Sequence, residues 1–375
     1  MKIKMVDTVT QYHAIEAEVK TAIHQLLEEG TYIGGAAVKG FEQALAQELG
    51  VKHVIACANG TDALQIALMA LGLEPGDEVI TPTFTYVATV EVVALLKLRP
   101  VFVEVNPLTF NMDAEDLERK ITPKTKAIIP VHLYGQPADM EAILEVANRH
   151  QIPVVEDCAQ AIGSTYTFSK GETKTTGGIG TIGCTSFYPS KNLGAYGDGG
   201  AIMTNDDRLG EYLRMICNHG QRVKYFHDTI GVNSRLDSLQ AAILAIKLKH
   251  LKEYNERRRW AASQYDALLA GNENILLPTS LQNVHHVFHQ YTLRILAGRE
   301  KRDALKDALA KVGIPSMIYY PLACHLQNAY TCYGYKAGDF PLSEQLTNEV
   351  ISLPMHSELT SEQLQYIAEN VLNLL

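Results

Sequence analysis

Apolar positions recur along this chain with two different periods. Ile15, Val19, Ile23, Leu26 and Leu27 fall at helical spacing and Gly30 follows them, which predicts an amphipathic helix stopped by glycine. Val38, Phe41, Leu45 and Leu49 predict a second, stopped by Gly50, with the glycine loop TYIGGAAVKG between the two. From residue 53 onward the texture changes to short β-branched runs over 53–57, 78–81, 101–105, 127–132, 153–156 and 181–187. Helical stretches separate these runs as far as Ile202. That alternation predicts an α/β fold whose mostly parallel sheet is covered by helices on both faces.

Beyond Asn205 the pattern shifts again. A helix stopped by Gly220 leads into QRVKYFHDTIGVNSR, a polar, irregular stretch with the character of a functional loop. One long helix is expected over 236–269, with the basic run Arg257, Arg258 and Arg259 on a solvated face. Turn residues over 271–283 mark a boundary, giving a large unit over 1–270 and a smaller C-terminal α+β unit over 271–375. In the latter, 289–297 reads as a strand, 301–312 as a helix, and IPSMIYYPLACHLQ as a loop returning toward a site.

Composition narrows the function classes. The chain has 375 residues, 46% hydrophobic and 20% charged, enough for a large core. A net charge of −9 argues against a general nucleic-acid or anionic-membrane surface and leaves room for a local phosphate site. The six cysteines include no C-x-x-C pair, so no zinc site is signalled and no metal is expected. No apolar run reaches membrane-spanning length, and MKIKMVDTVTQ lacks the apolar core of a signal peptide. The expectation is a soluble cytoplasmic protein without a membrane or nucleic-acid partner.

Candidate chemistry concentrates between residues 152 and 205. Asp157 ends a predicted strand, where ligands bind in open α/β sheets. Lys191 follows the 181–187 strand and precedes Gly194, Gly197, Gly199 and Gly200, which permit close backbone approach. An amine and a carboxylate brought to one sheet edge suit pyridoxal 5'-phosphate, which takes a lysine for its Schiff base and an acid against its pyridinium nitrogen. Taken singly, such an Asp is as a rule a cap or ion-pair partner, and such a Lys a solvated cation. NGTDAL, between a strand and a helix, aims free amides at an anion, with Thr61 adding a hydroxyl and Asp62 only its backbone N–H. It serves equally as a plain N-cap, and it has neither the P-loop lysine nor the G-x-G-x-x-G spacing. Phe84 and Tyr86 each suit either ring stacking or core packing.

Six segments, NGTDAL, TPTFTYVAT, VVEDCAQAIGS, SFYPSKNLGAYGDGGAI, GVNSRLDSLQAAIL and YYPLACHLQ, occur in an order that resembles the DegT/DnrJ/EryC1/StrS family. These are nucleotide-sugar aminotransferases, pyridoxal-phosphate enzymes of fold type I, and the likeness covers nearly the whole chain. The resemblance implies Lys191 as the Schiff-base residue, Asp157 against the pyridinium nitrogen, Gln160 on the ring hydroxyl oxygen and Tyr86, not Phe84, as the stacking aromatic. It also implies a phosphate site of Gly60, Thr61, the Asp62 amide and Ser186, with Asn233 reaching the neighbouring subunit's site in a homodimer.

Related sugar dehydratases carry histidine where this chain has Lys191, so the resemblance favours transamination. It implies L-glutamate as donor, pyridoxamine 5'-phosphate as the intermediate cofactor form, and a nucleotide-diphosphate keto-sugar as acceptor. The 217–244 segment resembles the branch acting at C3 more than the C4 branch, with surface polysaccharide as a destination for the amino sugar. Arg235, Tyr319 and His325 are candidate substrate contacts, as is Arg222. Lys224 reads better as solvated, and His325 equally well as structural. A Rossmann dehydrogenase would need the missing G-x-G-x-x-G. A cofactor-sensing regulator would need a DNA-binding module or basic face. A lyase would need a catalytic cysteine in a mobile loop, for which Cys324 is the candidate by position alone, and the nucleotide-sugar motifs around it argue otherwise.

Overall fold

Strands form where the short apolar runs meet turn residues, and they frame the site. The computed structural model describes residues 3–375. The central strands are β1 (His53–Cys57), β2 (Glu78–Pro82), β3 (Arg99–Val103), β4 (Thr125–Ile128), β5 (Val155–Asp157), β6 (Ile182–Ser186) and β7 (Gly200–Thr204). Four pair in the order β1-β7-β6-β5 and three in the order β3-β2-β4. Parallel bridges from Ile128 to Val154 and from Val131 to Asp157 join the two groups at β4 and β5. The strand expected over 127–132 stops at Ile128, two residues before Pro130, which has no N–H to give a ladder.

The sheet is mostly parallel, as the alternation predicts, and β7 is its exception, running antiparallel to both β1 and β6. The segment from β6 to β7 contains no helix to cross back over the sheet, so the chain returns in the opposite direction. That segment carries Lys191.

Helix boundaries follow local chemistry. Gly30 and Gly50 end the helices Thr8–Glu29 and Gly35–Leu49, each in the left-handed conformation at φ 66°. Asp7, Asn59, Asp113, Asp139 and Asp206 cap helix N-termini through their side chains. Val38, Phe41, Leu45 and Leu49 are buried as their spacing predicts, and Leu27 is the one stripe member left largely exposed.

Two expectations for the segment 236–269 are corrected. The helix is broken into Ser238–Leu248 and Leu251–Leu269 by a tightened turn in which the amides of Lys249 and His250 reach back three residues, to Ile246 and Lys247. The break lets two helices serve different cores. Ala241, Leu244 and Leu248 pack with Phe41 and Phe187, whereas Ala261, Tyr265 and Leu269 pack with Tyr291, Leu293 and Ile351. Arg258 is not solvated: it is buried, and its Nη1 donates to the carbonyls of Phe288, His289 and Met355 at 3.1–3.2 Å.

The C-terminal α+β layer centres on β8 (Tyr291–Ile295) and β9 (Val350–Leu353), paired antiparallel and covered by the helices Arg299–Lys311, Pro341–Glu349 and Ser361–Leu374. It is tied back to the first sheet at two points. Arg294 pairs with Glu349 at 2.7 Å and also donates to the Pro107 carbonyl. Glu104, just past β3, accepts from the amides of Leu342 and Ser343 at the start of the Pro341–Glu349 helix. Among the described residues no helix is long and apolar enough to cross a membrane.

Candidate active site

β5 and β6 lie side by side with Asp157 opposite Cys184, and both end at the same edge of the sheet. Asp157 is 6% exposed. Its Oδ2 accepts from the Thr89 hydroxyl at 2.8 Å and its Oδ1 from the Ala159 amide at 3.1 Å. Burial raises its pKa, against the pull of those hydrogen bonds and of the Lys191 charge. Lys191 is partly accessible, yet desolvation of its amine lowers the pKa to about 8, with Asp157 acting in the opposite sense. Among the described residues neither group has a direct ion-pair partner. Each feels the other's field without touching it, leaving a carboxylate in want of a cation and an amine neutral enough to attack a carbonyl.

Beneath them the Gly60–Ala70 helix begins. A Cβ on Gly60 would lie 2.7 Å from the Ser186 Cβ, and one on Gly200 would lie 2.4 Å from the Asn59 carbonyl carbon. Glycine at both positions therefore lets the Asn59–Gly60 turn close onto the end of β6 and the start of β7. The Ser186 hydroxyl and the first amides of the helix converge there. One expected ligand is partly committed: the Asp62 amide donates to Asn59 Oδ1 at 2.8 Å, in the ordinary N-cap manner. The Gly60 and Thr61 amides, with no carbonyl a turn earlier in the helix, are the better placed donors.

Gln160 accepts from the Tyr134 amide at 2.7 Å and donates to the Tyr320 hydroxyl at 3.1 Å, which leaves its second amide hydrogen for a ligand. Tyr86 is 57% exposed, its ring 6.1 Å from that of Tyr320, whereas Phe84 is buried in the core. Asn233 and Arg235 are exposed, and the side chain of Asn233 bonds to nothing else among the described residues. Ser234 between them accepts from the Ala58 amide at 3.1 Å, so GVNSR passes directly behind the Asn59–Gly60 turn. Lys224 lies 5.1 Å from the Tyr225 ring, on the surface.

Three candidates in the 319–325 loop change standing. His325 is fully buried, with Nδ1 2.7 Å from the Thr83 hydroxyl and Nε2 3.2 Å from Glu344 Oε1, so it offers no atom to a substrate. Tyr319 is half-buried and its carbonyl accepts from the Tyr134 hydroxyl; its neighbour Tyr320 is the one that faces Gln160. Cys324 is buried, its thiol against the Thr85 carbonyl and its pKa pushed up to about 12, the reverse of an activated nucleophile.

Sequence reasoning missed Thr89 and Tyr320. A threonine in the first helical turn after TPTFTY and the second tyrosine of a YY pair were the available signals. It also missed the buried cluster of His132, Glu156 and Cys158, whose ligand-type atoms lie within 4.8 Å of one another. Glu156 is saturated there: it accepts from the amides of Gly177, Ile179 and Gly180 and from His132, a set that secures the loop between β5 and β6.

A buried carboxylate lacking a cation, a low-pKa lysine, an amide-and-hydroxyl cradle and an exposed aromatic at one sheet edge together fit pyridoxal 5'-phosphate, with its pyridinium, carbonyl, phosphate and flat ring. Fold and site define a pyridoxal-phosphate transferase of fold type I. Residues 13–372 match the model of the DegT/DnrJ/EryC1/StrS aminotransferase family, and the chain belongs to that family. It is a pyridoxal-phosphate-dependent sugar aminotransferase.

Among its relatives, a "pleiotropic regulatory protein" of Geobacillus stearothermophilus is 47% identical over 99% of this chain and 98% of its own length. UDP-2-acetamido-2-deoxy-3-oxo-D-glucuronate aminotransferase of Pseudomonas aeruginosa is 45% identical over 99% of this chain and all of its own. The crystal structure of S. venezuelae DesV with a ketimine intermediate superposes with a TM-score of 0.94 at 40% identity, covering 99% of this chain and 97% of that one.

Proposed function

We propose that this enzyme transfers an amino group from L-glutamate to the C3 keto group of a UDP- or dTDP-linked sugar. The carrying observation for the chemistry is the pair formed by Asp157, buried without a cation, and Lys191, with its pKa of about 8. Preference for C3 draws support from the 45% identity to the P. aeruginosa 3-oxo-sugar enzyme.

When bound, pyridoxal phosphate supplies a carbonyl that accepts the amino group and a protonated ring that withdraws electrons. Asp157 would hold the proton on the ring nitrogen, and Thr89 would keep Asp157 turned toward it. Lys191 Nζ, displaced as the donor amine arrives, would take the proton from the donor's Cα and return one to the sugar carbon in the second half-reaction. Gly60, Thr61, Asp62 and Ser186 would hold the phosphate, Gln160 the ring oxygen, and Tyr86 would cover the ring face.

The same reading makes the enzyme a cytoplasmic homodimer that supplies an amino sugar for polysaccharide assembly, with the chain divided near 270/271. The dimer draws support from the hairpin at 221–227 and the loop after it, where Tyr225 is 78% and Ile230 85% exposed. Asn233 and Arg235 stand exposed next to that surface. There they would reach the phosphate and the sugar diphosphate of the neighbouring site.

A sensor is the second reading, favoured by the name of the Geobacillus relative. One experiment separates them. The protein loaded with pyridoxal phosphate is titrated with L-glutamate while its visible absorption is followed, with Lys191→Ala as control, and UDP- and dTDP-linked 3-keto and 4-keto sugars are then added. Bleaching by glutamate and recovery on a 3-keto sugar support the proposal. Recovery on 4-keto sugars alone moves the site of transfer. A spectrum that glutamate leaves unchanged favours the sensor.

A further inference from the structure

Lys191 sits in a segment that returns to β7 without regular structure, yet its amine must meet a fixed point. The residue after it is turned the other way. Asn192 is 3% exposed, and its carboxamide is fully used. Nδ2 donates to Asn255 Oδ1 at 2.8 Å and to the Val287 carbonyl at 3.0 Å, and Oδ1 lies 3.2 Å from His289 Nδ1. These partners come from the Leu251–Leu269 helix and from the stretch just before β8. We infer that Asn192 is a positioning residue: locked between Asn255, Val287 and His289, it fixes the direction in which Lys191 projects.

The network has one self-consistent set of protons. Asn192 Oδ1 can only accept, so His289 carries its hydrogen on Nδ1, and its Nε2 is left to accept from the Gln290 side-chain Nε2 3.4 Å away. A second proton on His289 would set donor against donor. Burial, with the charges of Lys191 and Arg258, holds its pKa well below 6.5, so the ring stays neutral at physiological pH. Both outer partners are themselves anchored. Asn255 Nδ2 donates to the Ile162 carbonyl at 3.2 Å, and Arg258 holds the carbonyls of Phe288 and His289. On the far side of the loop, buried Lys247 donates to the Gly194 carbonyl at 2.5 Å. Packing alone would be met by an apolar side chain at 192. A complete set of hydrogen bonds adds what packing lacks, a fixed orientation.

This inference rests on Lys191 being the residue that bonds the cofactor. The test reads Lys191 directly in the protein without cofactor. Wild type and variants are trace-labelled with an amine-reactive anhydride across pH 6–11, and the Lys191 peptide is quantified by mass spectrometry against surface lysines. Wild-type Lys191 is expected to titrate near 8. In Asn192→Ala the freed amine moves toward water, and its titration midpoint moves up toward the ordinary 10.5. Labelling at pH 7 then falls about tenfold for every pH unit by which that midpoint rises. His289→Ala should raise it in the same way, and His289→Gln, whose amide can still donate to Asn192, should restore it. These two variants decide the matter if Asn192→Ala does not fold. An unchanged Lys191 midpoint in folded Asn192→Ala, or in His289→Ala, overturns the inference. A wild-type Lys191 that titrates near 10.5 and takes up no pyridoxal phosphate instead overturns its assigned role.

Discussion

Thr89 donates its hydroxyl to the Asp157 carboxylate across 2.8 Å, and both side chains are buried. Thr89 is in turn 3.2 Å from the Thr85 hydroxyl, so a short chain of hydroxyls leads from the β2 loop to the acid. Asp157 needs this support. Desolvation pushes its pKa upward, and in the role proposed for it a neutral carboxyl could not hold a protonated ring nitrogen.

Thr89→Val keeps the shape and removes the donor. A hydrogen bond to a charged group is worth about 1.5–3 kcal/mol, so the Asp157 pKa should rise and affinity for pyridoxal phosphate should fall by roughly ten- to a hundredfold at pH 7. Equilibrium binding of cofactor across pH 6–9 measures this. An affinity equal to wild type at pH 6 would show that Thr89 does not support the acid.

How much of this was legible depended on whether a feature is local. Gly30 and Gly50 could be read because a helix end is decided by a few residues and a positive φ. Asp157 and Lys191 could be read because strand ends in an α/β sheet share one edge. Arg258 could not: its partners, the carbonyls of Phe288, His289 and Met355, lie 30 to 97 residues away, and a triple-arginine run looks solvated without them. His325 stayed undecided for the same reason, since Thr83 and Glu344 enclose it from two separate parts of the chain. The resemblance to a family carried the roles assigned to Gln160, Tyr86, Ser186 and Asn233, which no local pattern fixed.

Glu156 holds the loop behind Asp157 by accepting from Gly177, Ile179 and Gly180 at 2.6–2.9 Å and from His132 at 3.0 Å. Glu156→Gln would turn an amide NH2 toward one or more of these donors. Breaking so enclosed a charged group is expected to cost about 3–5 kcal/mol in unfolding free energy, read by urea titration. A loss below about 1 kcal/mol would mean that the loop repacks around the amide.

Lys247 is buried beside the Lys191 loop with a pKa lowered to about 8, chiefly by desolvation. In the unfolded chain it returns to an ordinary value near 10.5. Between these two values the unfolded state binds more protons than the folded state, so this lysine makes stability rise with pH. Wild type should therefore gain up to about 1.4 kcal/mol per pH unit more than Lys247→Met across that window. Denaturant unfolding at several pH values between 8 and 10 gives both slopes. Parallel slopes would mean that Lys247 is not titrating there.

His325 separates a structural role from a substrate role. The Thr83 hydroxyl accepts from the His325 amide at 3.2 Å and can donate to Nδ1 at 2.7 Å, which leaves Nε2–H for Glu344 at 3.2 Å. Burial lowers the pKa of the ring, consistent with that neutral form. As pH falls below the ordinary value of 6.5, the unfolded chain takes up a proton that the folded ring resists, so wild type loses stability on that side. His325→Phe fits the ring's place, leaves Thr83 and Glu344 without their partner, and is expected to cost about 2–4 kcal/mol. It should also remove part of the acid-side loss. The KM for the sugar, taken per folded molecule, should stay within about twofold, since a twofold change is only about 0.4 kcal/mol. A variant of unchanged stability whose KM rises tenfold would instead put the ring against the substrate, and would require the 319–325 loop to open when the sugar binds.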